Sequence, residues 1–350
     1  MMLKFTGIIF LLALILSAVC TVFTQTERET GIELYKKGDY KGAAKVLKKV
    51  VSGNSSDAKV WYYLGLSYLR DGEEKDSIKC LEKAVALDGK DAEIRTGLAF
   101  VYLLKNNLPG AINEAQAALE LTPRNADAHY IIGIANLRNR GYHYAYDRAK
   151  AAIEINPKFA PAYLLKSQAL VSQFAVKSRP GIWDKEEKGR ILNEAVEALE
   201  KYLSFSADAE ETKFQREYLE SLKFFADYYS RNQAPANFDA DVLPSDESTI
   251  DESSGNESTA GGNTRVKILS KPRPIYTMAA KNANVSGTVR LLVGFSADGK
   301  VKHVLILRAL GFGLDKEAVK AARKLKFEPA TEKGKPVSAI KLFDYIFTID

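Results

Sequence analysis

One spacing constrains this chain more than any other feature: 34 residues. Trp61-x-x-Leu64-Gly65-x-x-Tyr68, followed by Gly72, Ser77, Leu81, Ala84 and Gly89, returns 34 positions later as Leu98-Ala99-x-x-Tyr102, Ala111, Ala115, Ala118 and Pro123. A further step gives Ile132-Gly133-x-x-Asn136, Ala145, Ala149, Ala152 and Pro157, and one step back gives Gly31, Gly38-Asp39-Tyr40, Ala43, Leu47 and Val50. A fixed period of this length marks stacked supersecondary units, none of which can bury its apolar face alone. Gly65, Ala99 and Gly133 on one helix, and Ala111 and Ala145 on the next, predict closely approaching helix pairs. Pro123 and Pro157 stand where one helix must end and the next begin. A fifth unit opens at Ala160-Pro161-Ala162-Tyr163, is interrupted by Arg179-Pro180-Gly181-Ile182-Trp183, and resumes from Ile191 to Tyr202. Glu211–Tyr229, with Phe214, Tyr218, Leu222 and Phe225 on one side, reads as a capping helix, which a solenoid needs to cover its last apolar face.

The period and its small/large pattern resemble the tetratricopeptide repeat over four full units. The resemblance implies an all-α solenoid across residues 26–230, with a groove lined by the first helix of each unit. On that surface the sequence places Tyr62, Leu66 and Leu69, then Phe100 and Leu103, then Tyr130, Ile134 and Leu137. Such an apolar lining suits an apolar helix or extended peptide as partner. The same residues equally suit packing between repeats.

The N-terminus reads Met-Met-Leu-Lys, then an uncharged run of about 20 residues from Phe5 to Thr24. Residues 1–25 are therefore expected to be a cleaved signal peptide or a retained anchor, with Lys4 on the cytoplasmic side. Either way the chain is exported, free or held to the membrane by residues 5–24. Export argues against a nucleic-acid role. The net charge of +6 hides an asymmetry: Arg231–Gly262 has one basic and seven acidic residues, Thr264–Asp350 seventeen basic and seven acidic. Residues 231–263, rich in Ser, Asp, Glu, Asn and Gly with no apolar period, read as a disordered acidic linker with an r.m.s. span of roughly 30 Å. The basic domain behind it suits an anionic partner or a solvated basic face. Two cysteines, Cys20 and Cys80, give no disulfide framework.

Residues 264–350 form a separate α+β domain. Pro272, Pro274 and Tyr276 lead into a short helix, Met278–Asn282. Strand Gly287–Phe295 alternates, with Val289, Leu291, Val293 and Phe295 on one face. Ala297-Asp298-Gly299-Lys300 is a hairpin turn, and the next strand, Val301–Leu310, is apolar on both faces. Leu314, Ala318, Ala321, Ala322 and Leu325 mark one helix face. In the last strand, Ser338–Ile349, the apolar phase slips. Ile340 and Leu342 are even-numbered, while Phe343, Tyr345, Phe347 and Ile349 are odd-numbered. A slip of this kind predicts either a bulge near Leu342–Phe343 or one exposed apolar side chain on the outer face.

Pro-x-Pro-x-Tyr, Gly287-x-Val289, Asp298-Gly299-Lys300-Val301, Gly313-Leu314-Asp315-x-x-Ala318, Phe327-x-Pro329-Ala330 and Gly334-x-Pro336-Val337 together resemble the TonB C-terminal domain, over about 80 residues. Thr277 stands where that family usually has Pro, and Leu325 where an aromatic is common. The resemblance implies a three-stranded antiparallel sheet with helices. It also implies an envelope role in which an outer-membrane transporter peptide adds as a strand to the sheet edge, and energy transduction from a proton-driven motor. With strand order two-one-three the last strand is an edge able to accept another, so Ile340, Lys341, Leu342, Phe343, Asp344, Tyr345, Ile346 and Phe347 are the candidate site. Lys333, Lys335 and Lys341 favour an acidic peptide or anionic cell wall.

No phosphate loop, nucleophile elbow or metal-ligand spacing emerges, and His129, His143 and His303 are far apart in sequence. The expectation is a non-enzymatic interaction protein without cofactor or metal. It is either a TonB-type adaptor or, alternatively, a repeat-based envelope assembly scaffold with no link to a motor.

Overall fold

The computed structural model describes residues 26–53, 55–177, 185–205, 212–230 and 264–349. The expected signal peptide or anchor, the interruption at Arg179–Trp183 and the acidic linker lie outside the described residues. Among those described, no helix is long and apolar enough to cross a membrane. The chain divides into two compact units, one ending at Ile131 and one starting at Ile132.

The first unit is helical. It comprises α1 (26–36), α2 (Tyr40–Ser52), α3 (Ala58–Asp71), α4 (Glu74–Leu87), α5 (Ala92–Leu104), α6 (Leu108–Leu121) and the start of α7 (Ala126–Arg138). Caps recur with the repeat. Asp39, Asp57, Asp91, Asn107 and Asn125 each accept backbone N–H groups of the first turn that follows, satisfying donors that the helix itself leaves open. Gly65 shows why the small residues recur: a Cβ there would lie 2.8 Å from Leu81 and 3.1 Å from the Ser77 carbonyl of α4. Ala43, Ala99, Ala111 and Ala115 are fully buried at equivalent contacts. Neighbouring repeats are also tied by Lys59, which pairs with Asp91 at 2.7 Å and Glu93 at 2.6 Å.

The second unit continues with α8 (Tyr142–Ile155), α9 (Ala160–Lys177), α10 (Lys185–Phe205) and α11 (Lys213–Ser230), then the C-terminal domain. That domain holds β1 (Lys267–Ser270), α12 (Met278–Asn282), β2 (Gly287–Phe295), β3 (Val301–Arg308), α13 (Leu314–Ala322), β4 (Lys326–Glu328), β5 (Ala330–Glu332), β6 (Lys335–Val337) and β7 (Ala339–Phe347). The main sheet is antiparallel with order β3-β2-β7, as expected; β1 pairs with β4 and β5 with β6 in two small ribbons. Thr277, the departure from the family's usual Pro, caps α12: its hydroxyl accepts from Ala280 N–H and donates to the Phe312 carbonyl at 2.7 Å.

The bulge expected near Leu342–Phe343 is absent. β7 runs in unbroken register against β2 from Ala339 to Phe347, and the irregularities lie instead between β2 and β3, at Arg290/Leu291 and Gly294/Phe295. The phase slip has another cause, which is that both faces of the sheet are covered. Val289, Leu291, Val293, Phe295, Phe343, Tyr345 and Phe347 pack with Leu314, Ala318 and Ala322 of α13 in one core. Leu292, Leu305, Leu307 and Leu342 point the other way, into a cluster with Leu170, Val171 and Phe174 of α9 and Leu219, Leu222 and Phe225 of α11. Each of these four buried leucines stabilises the packing by roughly 1.5–3 kcal/mol. The domain that the sequence places behind a disordered linker is thus found seated on the last repeat helices. α11, read as a one-sided cap, is apolar on two sides.

Candidate partner-binding edge

The two edges of the β3-β2-β7 sheet differ. Along β3, Val304 donates its outward N–H to Ser221 Oγ at 3.2 Å, and Ile306 donates to the Tyr218 hydroxyl at 3.4 Å. Both acceptors belong to α11, and burial raises the pKa of Tyr218. His303, also on β3, stacks on Phe224 with ring centroids 3.9 Å apart and planes 4° from parallel. Its pKa is lowered, first by burial and then by the charge of Lys302.

β7 has β2 on one side, and no strand among the described residues pairs with its other side. The outward N–H groups of Val304 and Ile306 fix which backbone groups of β7 face outward, because the direction alternates along each antiparallel ladder. Leu305 must then bond to Leu292, its register partner. Leu291 and Val293 bond in turn to Phe343 and Lys341. The N–H and C=O groups of Ile340, Leu342, Asp344 and Ile346 therefore point away from the sheet.

The eight candidate residues divide by face. Phe343, Tyr345 and Phe347 are buried in the domain core; burial pushes the Tyr345 hydroxyl up to about 12. Lys271 lies over the rings of Phe343 and Tyr345, at 5.9 and 5.4 Å. Leu342 is buried against the repeat helices and Ile340 partly so. Asp344 joins Arg290, its register partner on β2, through two hydrogen bonds of 2.8 and 2.7 Å. Lys341 is exposed, and Ile346 is 72% exposed.

The residues expected to line a groove in the repeats fall differently. Tyr62 is buried, and a Cβ on Gly97 would lie 2.6 Å from its ring, so it packs between α3 and α5. Leu103 and Leu137 are also buried; Leu66, Leu69, Tyr130 and Ile134 are half-buried, and Phe100 alone of the eight is exposed. No group of three or more metal-ligating side chains occurs among the described residues. His129 Nε2 lies 3.3 Å from the Pro123 carbonyl and His143 lies 3.7 Å from Asp147. What the sequence did not indicate is the part played by Ser221 and Tyr218. Tyr218 stood out only as one more apolar position on α11, and nothing local marked either hydroxyl as an acceptor for β3.

The family model described as the Gram-negative bacterial TonB protein C-terminal matches residues 272–349, and a tetratricopeptide repeat model matches residues 28–92 and 96–158. No curated protein matches the chain. Among solved structures, a crystal structure of MamA is 26% identical, covering 54% of this chain and 93% of that one with a TM-score of 0.41. Pseudomonas aeruginosa PilF is 15% identical, covering 59% and 88% with a TM-score of 0.46. Both matched families are protein-interaction modules rather than enzymatic ones. This chain carries a tetratricopeptide repeat array followed by a TonB C-terminal domain.

Proposed function

We propose that this protein is a cell-envelope adaptor that binds an extended segment of a partner by strand addition along the outer edge of β7. The observation that carries the reading is the asymmetry of the edges. α11 occupies the outward N–H groups of Val304 and Ile306 on β3, whereas β7 turns the backbone of Ile340, Leu342, Asp344 and Ile346 outward with no strand beside it among the described residues. An added strand gains main-chain hydrogen bonds there, and its alternate side chains meet Ile346 on one face. Lys341 on this strand, with Lys333 and Lys335 in the turn and strand that precede it in sequence, favours an acidic segment. In this reading the protein is periplasmic, the segment belongs to an outer-membrane transporter, and the repeats hold a second envelope protein. Energy transduction additionally requires residues 5–24 to remain as an inner-membrane anchor.

The test places a photo- or thiol-reactive crosslinker at Lys341→Cys or Ile346→Cys in cells of the native host. A crosslinked outer-membrane protein, lost when its periplasmic terminal segment is deleted, supports the proposal; absence of any product at both positions refutes it. Mass spectrometry of the mature N-terminus then separates a transducer from a scaffold, because a cleaved chain has no anchor to a motor.

A further inference from the structure

We propose that the apolar face formed by α9 and α11 is a docking site whose occupant is this chain's own C-terminal sheet, held without need of the covalent connection through residues 231–263. The contact has the composition of a specific interface rather than of a loose collapse. Its centre is apolar: Leu292, Leu305, Leu307 and Leu342 from the sheet against Leu170, Val171, Phe174, Leu222 and Phe225 from the helices. Around that centre lie directional contacts. Ser221 and Tyr218 accept the N–H groups of Val304 and Ile306, Arg323 pairs with Glu217, and Phe224 stacks on His303. A further contact comes from Arg138, whose guanidinium lies 4.2 Å from the Phe312 ring.

The occupant is identified by fit. A sheet with one covered face has no reason to carry four leucines on the other, and a last repeat helix needs a polar outer side unless something covers it. Each surface supplies what the other lacks. The β3 edge, a liability if left open, is closed by the same contact. Docking therefore leaves β7 as the outer edge and holds it fixed against α9 and α11. A load applied at β7 would pass into the helices through this interface, in parallel with the linker.

The test inserts a site-specific protease sequence between residues 250 and 256 of the full chain and cuts it after folding. The two fragments are expected to co-elute in gel filtration at about 10 μM, as a complex of sub-micromolar affinity does; separate elution overturns the proposal. Leu305→Asp is expected to release the C-terminal fragment, and continued co-elution of that variant shows the leucine face is not what holds it, which also overturns the proposal. Should Leu305→Asp fail to fold, Tyr218→Phe with Ser221→Ala is expected to speed dissociation about tenfold or more, and an unchanged rate counts against the interface described. An uncut chain of twice the monomer mass that becomes a monomer on Leu305→Asp places the sheet on a second copy and refutes docking within one chain.

Discussion

Val304 and Ser221 are 83 positions apart, yet the backbone N–H of one donates to the hydroxyl of the other at 3.2 Å in a buried setting. This bond joins a helical repeat domain to a β-sheet domain and closes one sheet edge. Replacing Ser221 with Ala leaves the Val304 N–H buried without an acceptor, which costs roughly 1–3 kcal/mol. Urea denaturation followed by a C-terminal-domain probe should show the midpoint falling by the corresponding amount, with an unchanged slope.

Asp315 gives a pH signature. Its carboxylate accepts from Leu310 N–H at 2.8 Å and Gly311 N–H at 2.9 Å, but burial outweighs those bonds and pushes its pKa from 3.8 up to about 6. The native state therefore binds this proton more tightly than the unfolded chain does. The contribution of Asp315 to stability is fully present below the unfolded value and is lost as pH rises through about 6. Asp315→Asn removes this dependence. Between pH 7.5 and pH 4 the wild type should gain on the variant by on the order of 2–3 kcal/mol, read from paired denaturation curves. A constant difference across that range would mean the carboxyl titrates normally.

Close helix approach at Gly65 is testable by adding one carbon. Gly65→Ala puts a methyl 2.8 Å from Leu81 and 3.1 Å from the Ser77 carbonyl. The gain in helix propensity is about 1 kcal/mol, whereas overpacking against backbone costs about 1–3 kcal/mol. The variant is expected to be less stable, with a lower melting temperature of the first unit. A more stable variant would show that α3 and α4 can move apart.

Ile346 separates binding from folding. Because it is 72% exposed, Ile346→Glu should change stability by no more than about 0.5 kcal/mol. The same variant is expected to lose most of its crosslinking to a partner, since strand addition places a side chain of the incoming acidic segment beside residue 346 and like charges there repel. Full crosslinking by Ile346→Glu with a probe at Lys341 would move the binding surface away from β7.

The repeats were legible because their information is local and recurs. Small residues every 34 positions, with Asp or Asn before many of the helices, fix which positions meet before any long-range contact forms. The same holds for Gly287–Phe295, whose limits the alternation predicted, and for Met278–Asn282. β7 was legible as an edge from strand order alone. Its phase slip was not, because alternation reports how many faces are covered and not by what. Leu342 and Phe343 are adjacent and both buried since each side of the sheet has its own core.

The sequence alone therefore determined the repeat period and the limits of Gly287–Phe295 and Met278–Asn282, which follow from patterns within a few tens of residues. The order of the sheet and the class of module at each end came with the resemblance of the chain's motifs to known families. Only the tertiary structure decided that the C-terminal sheet seats on α9 and α11, that Ser221 and Tyr218 close the β3 edge, and which backbone groups of β7 turn outward. Those outcomes depend on surfaces contributed by residues far apart along the chain, and a sequence pattern shows that a face is apolar without naming the face that will cover it.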